Sequence, residues 1–258
     1  MNGIEHRLQK IFELNRPCIL VDTSAGLSLG TLPGLENFYI AVRPVLPLVE
    51  GVVCSPGQIG RLEALQKTDA ALLVRMDWNN TLRKADFVLP SSTAQRVSIL
   101  TPQDALDLGA DGMVSTFLLG YDEKVDADCL RSTVQMALEG KKLGLPLVIE
   151  IQPTGSRVSL PGKAVELGAS YALEGGADGI VVPYPGKVSL KTISEFVSVP
   201  WLLCPTNLNN AIAELQEALD LGAAGLWLGH EIFVNPTTLP AMLKQFKTMA
   251  KHFPESVG

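Results

Sequence analysis

Glu150 and Gln152 stand two residues apart at the end of the apolar run Leu147–Ile151. In an extended strand that spacing puts both side chains on one face. A carboxyl held partly out of water has a raised pKa, which suits a general acid or base near neutral pH. A salt bridge to Arg75 is the plainer use of Glu150, and the sequence weighs the two evenly.

Other polar residues close apolar runs in the same way. Asp22 closes Cys18–Asp22 and is followed by Thr23 and Ser24; Ser55 closes Gly51–Ser55. Arg75, Asp77 and Asn79 fall at or after the end of Ala71–Met76, and Ser115 and Thr116 at the end of Gly112–Thr116. Tyr184 and Lys187 follow Gly179–Val182, and Thr206 and Asn207 follow Trp201–Cys204. Gly229, His230 and Glu231 follow Gly225–Leu228.

Asp22 can cap a turn, pair with Arg75 or act as a catalytic carboxylate. Gly229 and His230 begin a last loop of the kind that offers backbone N–H groups to an anion, although a satisfied loop histidine fits as well. Ser55, Ser115 and Thr206 are the further candidates for holding substrate. Cys204 precedes Pro205 and is a poor thiolate without a nearby cation. Asp22, Asp77 and Glu150 have the right chemistry to converge on a divalent metal, but the favoured expectation is neither metal nor cofactor.

Eight strand-like runs alternate with helical patterns, and this architecture would gather those residues at one end. Three stretches repeat the unit: DALDLGADGMVS (104–115), ALEGGADGIVVP (172–183) and ALDLGAAGLWLG (218–229). Each pairs a helix ending in glycine with a continuously apolar strand, as parallel strands buried on both faces require. The helical patterns are 35–48, 59–66, 129–143, 162–174, 190–196, 212–221 and 239–250. The set predicts a (β/α)8 TIM barrel over residues 1–258, as one domain with an N-terminal helix over about residues 1–16. A doubly wound sheet is second, because DTSAGLSLG (22–30) lacks the GxGxxG spacing. The polar stretch 79–95 reads as a rim loop with a short hairpin.

Of the 258 residues, 47% are apolar and the net charge is −6, which gives no electrostatic footprint for nucleic acid or anionic membrane. No apolar run reaches the ~18 residues of a membrane span. The four cysteines share no CxxC spacing and His6, His230 and His252 do not group with them, so reduced thiols and a cytoplasmic location are expected. The partner expected is a small-molecule substrate.

VDTSAGLSLGTLPGLENF (21–38) resembles the first-strand segment of the class I aldolases grouped with archaeal-type fructose-bisphosphate aldolase. That group includes aminodideoxyheptulosonate synthases and autoinducer-2 thiolases, with deoxyribose-phosphate aldolase more distant. The likeness continues through GKKLGLPLVIEIQP, ELGASYALEGGADGIV and ALDLGAAGLWLGHEIFVNP. It implies the barrel fold and a homo-oligomer. It also implies a Schiff-base lysine in the sixth strand, an acid/base tyrosine on the fifth, and phosphate held by Gly-Gly after the seventh and Gly-Arg after the eighth.

The residues matching those positions here are Val181 (or Val182), Gln152, Cys204-Pro205-Thr206 and Gly229-His230. Asp22 is kept, but Thr23 and Ser24 stand where the family has His and Gly. Three functions follow as expectations. The first is a lyase- or isomerase-type enzyme acting on a small oxygenated substrate without an imine, using Asp22, Arg75, Asp77, Glu150, Gln152, Tyr184 and His230. The second is an inactive paralogue kept for binding or assembly. The third, least favoured, is a Schiff-base aldolase with Lys187 relocated past the strand; its amine would have to be neutral, whereas a loop lysine is solvated and charged.

Overall fold

Short apolar runs form the parallel strands. The computed structural model describes residues 3–12, 16–63 and 69–249. In chain order the strands are β1 Cys18–Asp22, β2 Gly51–Cys54, β3 Ala71–Arg75, β4 Asp77–Asn79, β5 Arg96–Ser98 and β6 Gly112–Leu118. They continue as β7 Leu147–Gln152, β8 Gly179–Pro183, β9 Trp201–Cys204 and β10 Gly225–Leu228. Eight of them close into a parallel barrel in the order β1-β10-β9-β8-β7-β6-β3-β2, with helices between them. This is the (β/α)8 barrel read from the sequence.

The glycines of the three repeats do what their spacing asks. Gly109, Gly176 and Gly222 have φ of 76°, 89° and 88°, the left-handed turn that ends each helix before its strand. β4 and β5 form an antiparallel hairpin whose strands flank the 79–95 excursion rather than lying within it.

Most helical boundaries fall within a few residues of the pattern, but the helix expected at 129–143 begins six residues earlier, at Glu123, and one other stretch differs more. The stretch 35–48 is not one helix but a short helix Phe38–Val42 and a 3-10 turn Leu46–Leu48. Pro44 and Pro47 remove the N–H donors a continuous helix would need. The helix expected at 59–66 is Pro56–Glu63, and that expected at 239–250 is Leu239–Lys247; residues 64–66 and 250 lie outside the described residues. So do Met1, Asn2, residues 13–15 and His252; the N-terminal helix itself spans Gly3–Ile11.

The barrel interior is packed in layers. Leu20, Val53, Leu73, Val114, Val148, Val181, Leu202 and Trp227 form one buried cluster. Neighbours such as Val21, Val182, Leu226 and Leu228 point outward into the larger core beneath the helices. Ile11 and Phe12 enter the interior cluster from the N-terminal end. The lack of a side chain at Gly112 and Gly179 admits them: a Cβ at either would sit 3.3 Å from Ile11 or from the Phe12 ring. Among the described residues no helix is long and apolar enough to cross a membrane.

Candidate active site

Strand alternation fixes which polar residues face inward. Asp22 lies two residues beyond Leu20, Arg75 two beyond Leu73, Thr116 two beyond Val114 and Glu150 two beyond Val148, so all four occupy the layer above the apolar interior. They line a cleft of about 200 Å³ at the C-terminal end of the strands, with Gln152, Cys204, Trp227, Gly229, His230 and Glu231.

Arg75 is the hub. Its Nη2 donates to Asp22 Oδ2 at 2.6 Å, its Nη1 to Glu150 Oε2 at 2.7 Å and to Thr116 Oγ1 at 3.0 Å, and its Nε to Ser24 Oγ at 3.0 Å. The guanidinium also lies 5.8 Å from the Trp227 ring centre. Four of its five N–H groups are thereby engaged. Ser24 holds the far side of Asp22, donating to Oδ1 from its backbone N–H at 2.8 Å and its hydroxyl at 2.6 Å. Gln152 Nε2 donates to Glu150 Oε1 at 2.9 Å. Glu150 and Gln152 do share a face, and here the amide steadies the carboxyl.

Burial is the main force on Glu150 and pushes its pKa upward; Asp22 pushes the same way, while Arg75 opposes both. Burial also works against the charge on Arg75, but Asp22, Glu150 and Asp77 outweigh it and hold the guanidinium more firmly protonated. The site is thus a fixed cation beside a carboxyl that takes up a proton more readily than usual. Cys204, on the opposite wall, is pushed upward first by burial and then by Glu150, Glu231, Asp22 and Glu214, so it rests as a thiol.

Behind this layer lies a second pair that the sequence reading did not anticipate. Arg96 Nε donates to Asp77 Oδ2 at 2.8 Å, and its other nitrogens donate to Ser132 Oγ at 2.7 Å and Ser115 Oγ at 2.5 Å. Asp77 also accepts from the Thr116 backbone N–H at 3.1 and 3.2 Å. Asp77 reaches the cleft, yet its carboxylate is committed to fixing β6. Ser115, one residue from Thr116, points out of the barrel and belongs to this support rather than to a substrate site.

Several other candidates lie away from the cleft. Lys187 is the first residue of the helix Lys187–Phe196; its side chain is 76% exposed and pairs with Glu217 at 2.8 Å. Glu217 raises its pKa, so the amine stays charged, the opposite of what imine formation needs. Tyr184 donates its hydroxyl to the same Glu217 at 2.8 Å, and its pKa is pushed up to about 12 by burial and by that carboxylate. Ser55 gives its backbone N–H to Gln58 Oε1 at 2.8 Å and starts a helix. Thr206 is held by Glu214. His230 and Gly229 do line the cleft, with His230 Nδ1 4.0 Å from Glu231 Oε2.

The metal alternative does not fit these contacts, because Asp22 and Glu150 both bind Arg75 while Asp77 binds Arg96. Among the described residues no group of three or more His, Cys, Asp or Glu is arranged to hold a metal ion. Val181 fills the inward position on β8 where the resemblance calls for a lysine; it is fully buried and pairs in register with Glu150. Val182, the other residue the sequence match offered, points outward.

A cleft at the strand ends of a closed eight-stranded barrel, floored by a buried arginine between two carboxyls, sits on the scaffold of the class I aldolases. The curated homologues are archaeal aldolases and aminodideoxyheptulosonate synthases. The chain is 26% identical over 242 residues to the 2-amino-3,7-dideoxy-D-threo-hept-6-ulosonate synthase of Halobacterium salinarum, covering 91% of this chain and 87% of that protein. It is also 26% identical over 247 residues to an uncharacterized aldolase of Saccharolobus solfataricus, covering 90% and 89%. An archaeal fructose-1,6-bisphosphate aldolase, solved with its catalytic Lys covalently bound to the carbinolamine intermediate of the substrate, superposes with a TM-score of 0.79 at 18% identity. That match covers 96% of this chain and all of the other, and it establishes the fold. No protein-family model matches the chain.

Proposed function

We propose that this protein is an aldolase-like lyase whose divergent cleft works on a small oxygenated carbonyl compound through an enolate, without an imine. The observation that carries the reading is Arg75, buried between Asp22 and Glu150 at the floor of the cleft. In the cleavage direction the Glu150 carboxylate takes the proton of the substrate's β-hydroxyl. The carbon–carbon bond breaks and its electron pair moves onto the carbonyl oxygen, whose developing charge lies in the field of Arg75. Glu150 then returns the proton to the enolate carbon. Its raised pKa helps both halves, since a stronger base also holds its proton within reach at neutral pH. An isomerisation or dehydration would pass through the same enolate.

The test is proton exchange. In deuterated water a panel of small ketones and aldehydes should lose α-hydrogen signal by NMR in the presence of the protein, and Glu150→Gln should slow this by about 100-fold or more. Borohydride added to the same mixtures should leave no covalent adduct by mass spectrometry. An adduct on Lys187 would restore the imine mechanism.

A binding or assembly role is the second reading. Both oxygens of Asp22 and both of Glu150 already accept hydrogen bonds from the protein itself. Native mass spectrometry that retains a metabolite unchanged, with no exchange across the panel, favours that role.

A further inference from the structure

Barrels often hold phosphate in the loops after their last two strands, on backbone N–H groups at the start of a short helix. In this chain a carboxylate of its own stands at each place. After β9, the buried Glu214 accepts the Thr206 backbone N–H at 2.8 Å on Oε2 and the Thr206 hydroxyl at 2.6 Å on Oε1. Pro205 has no N–H to offer, and Asn209 and Asn210 give theirs to Asn207 Oδ1 at 3.0 and 3.1 Å. After β10, the Glu231 carboxylate folds back over Gly229 so closely that a Cβ there would collide with Oε2. Cys204 lies in the field of Glu214 and Glu231 together, together with Glu150 and Asp22. Arg75 is the sole guanidinium among the residues lining the cleft, no lysine joins it, and its charge is already shared between two carboxyls.

We propose that Glu231, on the cleft wall, and Glu214, in the loop just beyond Cys204, are specificity-determining residues that stand in for a phosphate group, so that the cleft takes non-phosphorylated carbonyl compounds and rejects phosphorylated ones. This rests on reading the cleft as a substrate site. Charge does the selecting: a phosphate dianion placed in either loop would meet a carboxylate, and after β9 it would also find the backbone donors of Thr206, Asn209 and Asn210 already engaged.

Isothermal titration calorimetry with inorganic phosphate, dihydroxyacetone and dihydroxyacetone phosphate tests it. The wild-type protein should give no saturable phosphate binding at millimolar concentration. Glu231→Gln and Glu214→Gln should each tighten phosphate binding by about tenfold or more, a gain of ~1.4 kcal/mol. The Glu231 side chain is 56% exposed, so Glu231→Gln should keep the wild-type melting temperature and carry the test if Glu214→Gln fails to fold. Saturable phosphate binding by the wild type, tighter binding of dihydroxyacetone phosphate than of dihydroxyacetone, or no gain in Glu231→Gln would each overturn the proposal. Binding needs no turnover, so a protein silent in the exchange assay still answers this question; that silence counts against the enzymatic reading alone.

Discussion

The two sides of the barrel mouth are built on opposite principles. On β1, β3, β6 and β7 the top inward layer is polar: Arg75, with Asp22, Thr116 and Glu150 each bonded to it. On β8, β9 and β10 the inward residues are Val181, Leu202 and Trp227, with Cys204 above them as a neutral thiol. The apolar side shapes the polar one. Val181 is the register partner of Glu150, so the carboxyl has hydrocarbon where an ammonium would otherwise neutralise it, and burial becomes the leading influence on its pKa. The hydrocarbon of Val181 on β8 and the raised pKa of Glu150 on β7 are two sides of one environment.

Removing the cation should break this arrangement most severely. Arg75→Met leaves Asp22 and Glu150 facing each other without compensation and should cost ~3–5 kcal/mol in chemical denaturation. Unchanged stability would mean that the charged side is not held together by Arg75.

Putting an amine on the apolar side sharpens the contrast. Val181→Lys overfills a packed layer and should cost ~1–3 kcal/mol. In return it places a nitrogen beside Glu150, and borohydride reduction with a small ketone should give an adduct at residue 181 that the wild type lacks. No adduct would show that position 181 is too enclosed for substrate to reach.

A subtler effect appears in the pH dependence of stability. The folded-state pKa of Glu150 lies above its ordinary 4.5. The folded protein therefore binds this proton more tightly than the unfolded chain. The resulting stabilisation is complete below 4.5 and is lost as pH rises through the raised value. Relative to Glu150→Gln, the wild type should lose stability as pH rises across that window. An increase over the same range would mean that Arg75, not burial, governs Glu150.

The smallest effect belongs to the rim. Lys187→Ala should leave both the melting temperature and the exchange rate at wild-type values, since this amine points away from the cleft toward Glu217.

Much of this scaffold is legible in the chain because its strands are continuously apolar and its helices end on glycines such as Gly109, Gly176 and Gly222. Inward Asp22, Arg75 and Glu150 are equally readable, being charged residues at the ends of runs that otherwise tolerate none. Trp227 is harder to read, because in GLWL it looks like any core residue; counting inward positions from Gly225 places it in the barrel. Arg96 follows a polar excursion with no periodicity, and only the antiparallel pairing of β4 with β5 brings it to Asp77. Glu214 and Glu231 look like surface acids on helical turns, and the hold of Glu214 on Thr206 and the approach of Glu231 to Gly229 depend on how those loops fold back. Lys187 misleads in the other direction: a long side chain near a strand end reads as within reach, but the helix that begins there aims it at Glu217.

Ile11 and Phe12 stopper the lower end of the barrel against Gly112 and Gly179. The barrel is therefore a cup and not a tube: whatever reaches Glu150 comes over the upper rim, past Gly229 and the short helix Gly26–Leu29 or past Thr81 and Pro153. Whatever occupies that rim also controls how quickly Glu150 can be recharged.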